Sequence, residues 1–279
     1  MKSKIIFLDV DGTLALASGD VSHKVKQAIQ KARENGHYVF ICTGRNRAGI
    51  ERFMPIGFDG VICSAGGYIE INNKKIYESF LSAEDFQEAR DIFNEHHMLC
   101  HCESTYLTFC DEELGRIFLQ DLMNDKNNSE LERLKKEQEN QFDICSFEEY
   151  DQNPVPIHKI SFVSKNKDDV EAIKEKLSYK YNFVIHEIFS DVNINGEIII
   201  KGTNKGKAVL KVVEALNMNI EDTICFGDSM NDLEMIQACF YSVVMENGSE
   251  ELKKYATTVC ESVSNDGVYH EMNRLGLLK

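Results

Sequence analysis

Short apolar runs alternate with amphipathic stretches along the first part of this chain. Ile5-Ile6-Phe7-Leu8, Tyr38-Val39-Phe40-Ile41-Cys42 and Gly60-Val61-Ile62-Cys63 are dense enough in apolar and β-branched residues to predict buried strands. Helical periodicity between them predicts helices near 23–35 and 46–53, with Gly36 as the stop of the first. Strand and helix in alternation predict a parallel sheet covered by helices.

After residue 82 the texture changes. Longer charged helices are predicted at 83–96 and 128–140, mixed with strands at 100–103 and 158–164, and Pro154 and Pro156 mark a loop. Alternation resumes near 198, with helix 205–216, strand 223–227, helix 230–238 and strands 241–245 and 257–260. The organisation expected is an α/β, Rossmann-like, doubly wound core made of 1–82 and 195–279, interrupted by an inserted α/β domain at 83–194.

The first strand runs straight into chemistry: Leu8 is followed by Asp9-Val10-Asp11-Gly12-Thr13. Period-2 geometry sends Asp9 and Asp11 to one side, and Gly12 allows the backbone to turn around whatever they hold. A nucleophile, an acid/base pair and a metal site all fit there, as does an ordinary Asp-Gly turn. Thr43-Gly44-Arg45 follows the second strand at the end where open parallel sheets bind ligands, although Thr-Gly also suits a helix cap. Gly202-Thr203-Asn204-Lys205-Gly206 opens a helix, with Lys201 and Lys207 as competing cations. Thr223 to Gly227 is a second apolar strand ending in acids, Asp228-Ser229-Met230-Asn231-Asp232.

Charge sharpens this picture. A net charge of −15 over 279 residues, with no long basic block, argues against nucleic acid or an anionic membrane as partner. It also means that a phosphorylated ligand needs a local positive field, from a divalent cation and a placed lysine. No run approaches the ~18 apolar residues of a membrane span. Nine cysteines without a C-x-x-C pair read as thiols of a reducing compartment, so a cytoplasmic protein is expected.

Taken together in this order, the four segments resemble the motifs of the haloacid dehalogenase-like superfamily, and the insert resembles the C2-type cap of its Cof-like subfamily, IIB. The resemblance implies a Mg2+-dependent phosphatase acting on a phosphomonoester of a small metabolite, such as a sugar phosphate, a nucleotide or a phosphorylated cofactor. It implies Asp9 as nucleophile forming an aspartyl-phosphate and Asp11 as acid and base. Lys205 would bridge Asp9 and the phosphate, and Thr43, Gly44, Lys205 and Asn231 would bind phosphate. Asp9, Asp11 through its carbonyl, and Asp228 would hold Mg2+, supported by Thr13 and Asp232. Met245-Glu246-Asn247-Gly248 and Ser264-Asn265-Asp266-Gly267-Val268 look like closing segments that shape the site.

One departure stands out: Ser64-Ala65-Gly66-Gly67 places Ala65 where many relatives carry asparagine. The alternatives are a phosphomannomutase-like mutase and a phosphate-sensing module without turnover. The His96-His97-Met98-Leu99-Cys100-His101-Cys102 cluster lacks the spacing of a zinc module and reads as a cap strand with alternating cysteines.

Overall fold

A computed structural model describes residues 2–16, 18–111, 114, 144–164, 166–189 and 193–279. The expected helix at 128–140 lies outside the described residues. The chain divides into two compact units, one of Met1–Arg45, Ile50–Glu78 and Thr203–Lys279, the other of Asn46–Gly49 and Ser79–Gly202.

The first unit is built on β1 (Ile5–Leu8), β2 (Tyr38–Cys42), β3 (Gly60–Cys63), β4 (Tyr68–Ile71), β5 (Lys74–Glu78), β12 (Thr223–Gly227), β13 (Tyr241–Met245) and β14 (Thr258–Cys260). Their order across the sheet is β14-β13-β12-β1-β2-β3-β4-β5. All neighbours from β14 to β3 are parallel, and β4 and β5 extend that edge as antiparallel strands. Strand order reverses between β1 and β12, which makes their carboxyl ends the ligand-binding crevice of a doubly wound sheet.

β1 shows why a continuous apolar run is needed at the centre. Ile6 and Leu8 cluster with Val25, Ile29 and Ala32 of helix His23–Glu34 and with Met272 of helix Gly267–Arg274. Ile5 and Phe7, pointing the other way, cluster with Val209 and Val212 of helix Lys205–Ala215 and Met235 of helix Leu233–Ala238. All four β1 side chains are fully buried, each contributing about 1.5–3 kcal/mol of burial. Helix His23–Glu34 begins where Ser22 accepts from the Val25 N–H at 3.2 Å. It ends at Asn35, with Gly36 at φ +83 and the His37 N–H returning to the Ala32 carbonyl at 3.1 Å.

Two expectations need correction in detail. The segment expected as a helix at 46–53 is a 3₁₀ helix at Ala48–Ile56, with Gly49 in its first turn and Pro55, which has no N–H to donate, near its end. The helix expected at 230–238 is a 3₁₀ turn at Met230–Asp232 followed by the α-helix Leu233–Ala238.

The second unit carries β6 (Leu99–Glu103), β7 (Thr108–Cys110), β8 (Ile144–Cys145), β9 (Lys159–Ser164), β10 (Tyr181–Phe189) and β11 (Asn193–Ile200), ordered β10-β11-β9-β6-β7-β8. Helices Ala83–Glu95 and Lys167–Leu177 supply Phe86, Ala89, Phe93, Val170 and Ile173 to its core, against Cys100, Cys102, Ile160 and Phe162 of the sheet. The opposite face of β6 and β9 carries a buried cation: Lys159 Nζ lies 3.0 Å from Glu103 and 2.9 Å from Glu197. The boundary expected at 195 falls at 203, because β11 is hydrogen-bonded to β9 and β10 along its length and so belongs to this second sheet.

Candidate active site

The two acid-bearing strands are neighbours. Leu8 pairs with Phe226, and the Asp9 N–H continues the ladder to the Phe226 carbonyl at 3.0 Å. Asp9 and Asp228 therefore leave the sheet side by side, at the point where its order reverses. One oxygen from each of Asp9, Asp228 and Asp232 lies within 4.8 Å of the others. Among the described residues this is the one grouping of three metal-capable side chains. The His96–Cys102 cluster forms none: Cys100 and Cys102 are buried in the core of the second unit, and His96 pairs with Asp169 at 3.1 Å.

Lys205 reaches this acidic cluster from the first turn of its helix. Asn204 caps that helix by accepting from the Lys207 N–H at 2.8 Å, and Gly206 lets it pack closely, since a Cβ there would stand 2.3 Å from the Glu234 carbonyl. The Lys205 ammonium donates to Asp9 Oδ1 at 2.8 Å, to Asp232 Oδ1 at 2.6 Å and, at 3.5 Å, to Asn231 Oδ1. Its side chain is 1% exposed. Lys201 and Lys207, the competing cations, take no part in these contacts.

Other oxygens of the cluster are held by backbone N–H groups and by a side-chain hydroxyl. Asp232 Oδ2 accepts from the N–H groups of Asp228 (3.0 Å) and Ser229 (3.3 Å), so both its oxygens are engaged within the protein. Thr13 Oγ1 donates to Asp228 Oδ1 at 3.4 Å. Gly12 has φ +76, and a Cβ there would fall 2.3 Å from Asp228 Oδ2, so two reasons exclude any other residue. Asn247 Nδ2 donates to the Gly12 carbonyl at 2.9 Å and its Oδ1 accepts from the Val263 N–H at 2.9 Å, tying a closing segment to the first motif.

Asp11 is placed differently from its partner Asp9. Arg45 grips its carboxylate with two contacts, Nε to Oδ2 at 2.9 Å and Nη2 to Oδ1 at 2.7 Å, and the carboxylate stands outside the Asp9–Asp228–Asp232 grouping. Arg45 was visible in the Thr43-Gly44-Arg45 segment, but only the fold reveals that it meets Asp11. Thr43 is buried, and its Oγ1 accepts from the Arg45 N–H at 3.2 Å; a Cβ at Gly44 would meet nothing within 4 Å.

Electrostatics explain what the cluster lacks. Burial, then repulsion from Asp232, pushes Asp9 up to about 7 against the pull of Lys205. Burial, then Asp9 and Asp232, pushes Asp228 up to about 8. Burial alone drives Lys205 toward neutrality, but Asp232 and Asp9 together hold it well above its ordinary range. When all three carboxylates are ionised, they and the one ammonium leave an excess of two negative charges, and the oxygen donors are of the kind a hard divalent cation takes.

A family model described as haloacid dehalogenase-like hydrolase matches residues 6–272. The putative phosphatase YkrA of Bacillus subtilis strain 168 is 27% identical over 284 residues, covering 100% of both chains. From the same organism, the 5-amino-6-(5-phospho-D-ribitylamino)uracil phosphatase YwtE is 26% identical over 98% of each chain. The solved structure of a haloacid dehalogenase-like hydrolase from B. subtilis shares the fold, with a TM-score of 0.81 and 22% identity over 98% of this chain and 99% of the other. With a match that spans the motifs on both halves of the core, the chain belongs to the haloacid dehalogenase-like hydrolase family and stands among its Cof-like phosphatases.

Proposed function

We propose that this hydrolase cleaves phosphomonoesters of small metabolites through an aspartyl-phosphate on Asp9, in a Mg2+-dependent reaction. The observation that carries the reading is the Lys205 ammonium standing between Asp9 Oδ1 and Asp232 Oδ1. An attacking carboxylate must approach an anionic phosphoryl group, and positioned positive charge is what makes that approach possible. Asp9 and Asp228 have oxygens to offer a cation, whereas both oxygens of Asp232 are engaged; the main-chain carbonyl of Asp11 would complete the protein's share. When bound, Mg2+ would neutralise phosphoryl oxygens and the excess charge of the cluster.

Asp9 forms the bond to phosphorus as the bond to the leaving oxygen breaks, and Asp11 delivers a proton to that oxygen. Asp11, now a carboxylate, takes a proton from water, whose oxygen attacks phosphorus and returns Asp9 with release of inorganic phosphate. Arg45 donates to both carboxylate oxygens of Asp11 in this structure, so delivery of a proton by Asp11 requires that carboxyl group to turn from Arg45. Thr43, Gly44 and Asn231 are assigned to the transferring phosphoryl oxygens. The second unit is assigned as the substrate-selecting cap, and the cytoplasm as the compartment.

The test is phosphate release from a panel of phosphorylated metabolites, with Mg2+ or EDTA, for wild type and Asp9→Asn. Mg2+-dependent release that disappears in the variant supports the reading. Phosphate moving within one sugar without release points to the mutase, and metal binding without turnover on any ester points to a sensing module.

A further inference from the structure

The segment after β3 breaks several local rules at once. Ser64 (φ 50), Ala65 (φ 52) and Gly66 (φ 103) are three successive left-handed residues, of which only the last is glycine. Ser64 is 1% exposed, and its Oγ is buried with no hydrogen-bond partner. Unfavourable backbone and an unpaired hydroxyl persist together only where the surroundings over-determine the conformation.

What this turn touches explains its shape. The Ser64 N–H donates to the Arg45 carbonyl at 2.7 Å, and the Ala65 N–H to the Thr43 carbonyl at 3.1 Å. On its other side Gly66 lies against the start of the Lys205 helix, where an added Cβ would stand 2.4 Å from the Asn204 carbonyl oxygen and 3.3 Å from Ala208 Cβ. One turn thus contacts both the Thr43–Arg45 loop and the residue immediately before Lys205.

We infer that Ser64–Gly66 is a bracket that spaces the Thr43 loop from the N-terminus of the Lys205 helix, with Gly66 as the positioning residue that sets where the Lys205 ammonium meets Asp9. Its effect on turnover rests on the phosphatase reading above; its effect on geometry does not. Any residue but glycine must change φ and push Asn204 away, moving the base of the Lys205 side chain by a distance comparable to 1 Å, and a displacement of that size costs ~10²-fold in rate.

The experiment compares Gly66→Ala with Gly60→Ala. Gly60 stands at the opposite end of β3, where a Cβ would meet the Glu70 carbonyl and the Phe40 ring at 2.3 Å, and the three atoms nearest that Cβ include none from the Lys205 helix. Both variants are expected to lose thermal stability. Gly66→Ala is expected to lose kcat about hundredfold with KM within about threefold, while Gly60→Ala keeps kcat within about threefold. Ala65→Val, which places a β-branched residue at φ 52, is the milder second variant; it is expected to lose kcat about tenfold with the same split, and it serves if Gly66→Ala does not fold.

A crystal structure of whichever turn variant folds reads the geometry directly. Lys205 Nζ is expected beyond hydrogen-bond reach of Asp9 Oδ1, instead of at 2.8 Å. Wild type that hydrolyses nothing would sink the phosphatase reading and leave the bracket to be judged on that distance. An intact Lys205–Asp9 contact in the turn variant would overturn the bracket, as would equal kcat losses in Gly66→Ala and Gly60→Ala.

Discussion

Replacing Lys205 by methionine removes one charge from the most crowded electrostatic position in the molecule. The ammonium is 1% exposed and donates to Asp9 at 2.8 Å and Asp232 at 2.6 Å. Methionine keeps the bulk but leaves both carboxylates buried without their cation, the situation in which breaking a buried pair costs about 3–5 kcal/mol. At about 2–4 °C per kcal/mol for a domain of this size, melting should fall by roughly 6–20 °C. The deficit should also depend on pH. Asp9 already sits at about 7, and Lys205 is what restrains it from going higher, so in the variant its folded value rises further above the unfolded one. A carboxylate raised in the folded state binds more protons folded than unfolded, so stability falls as pH rises toward and through the raised value. The variant should therefore lose more against wild type at pH 8 than at pH 6, both measured in EDTA. Turnover should drop about 10²–10³-fold at either pH, as for removal of one preorganised donor from a site where charge develops. Melting within 2 °C of wild type on the ~4 °C-per-kcal scale, or a deficit that shrinks as pH rises, would refute the electrostatic account.

Other outcomes follow from the same geometry. Asp9→Asn should abolish turnover while circular dichroism and melting report an intact fold; activity within about tenfold of wild type would remove Asp9 as the nucleophile. In wild type, Asp9 at about 7 and Asp228 at about 8 bind protons that a divalent cation must displace. Mg2+ should therefore raise the melting temperature more at pH 8 than at pH 6, and an equal or reversed gain would exclude these carboxylates as its ligands. Lys159→Met in the second unit should cost about 3–5 kcal/mol by stranding Glu103 and Glu197. Chemical denaturation of that variant measures it, and a loss below about 1 kcal/mol would mark the pair as solvated.

In the first unit β1, β2 and β3 are legible because they are short and almost wholly apolar, and β1 and β12 because acids and a glycine mark their ends. Asp9, Asp228, Asp232, Asn231, Thr13 and Lys205 lie together at the carboxyl ends of β1 and β12 and the start of the Lys205 helix. What was hidden had weaker local signals. β4 and β5 are not assigned as strands from the sequence, although Asn72 and Asn73, at φ 50 and 59, are the residues a two-residue hairpin turn asks for. β11 was divided between domains because its hydrogen bonds, not its composition, decide its sheet. The Arg45–Asp11 pair and the Gly66–Asn204 approach join residues far apart in sequence, where periodicity carries no information.

The pairing of β1 with β12 has a consequence for synthesis. Ile5 meets Thr223 in register, so the central strand of the sheet waits for most of the chain before its second edge is covered. Until then four fully apolar residues with open backbone groups are available to any other strand, including that of a neighbouring nascent chain. The intervening residues 79–202 include a sheet with its own core, which can collapse during that wait and shorten the effective separation of the two strands. Order of emergence from the ribosome thus favours folding of the inserted unit first, with the acidic cluster of the first unit among the last features to assemble.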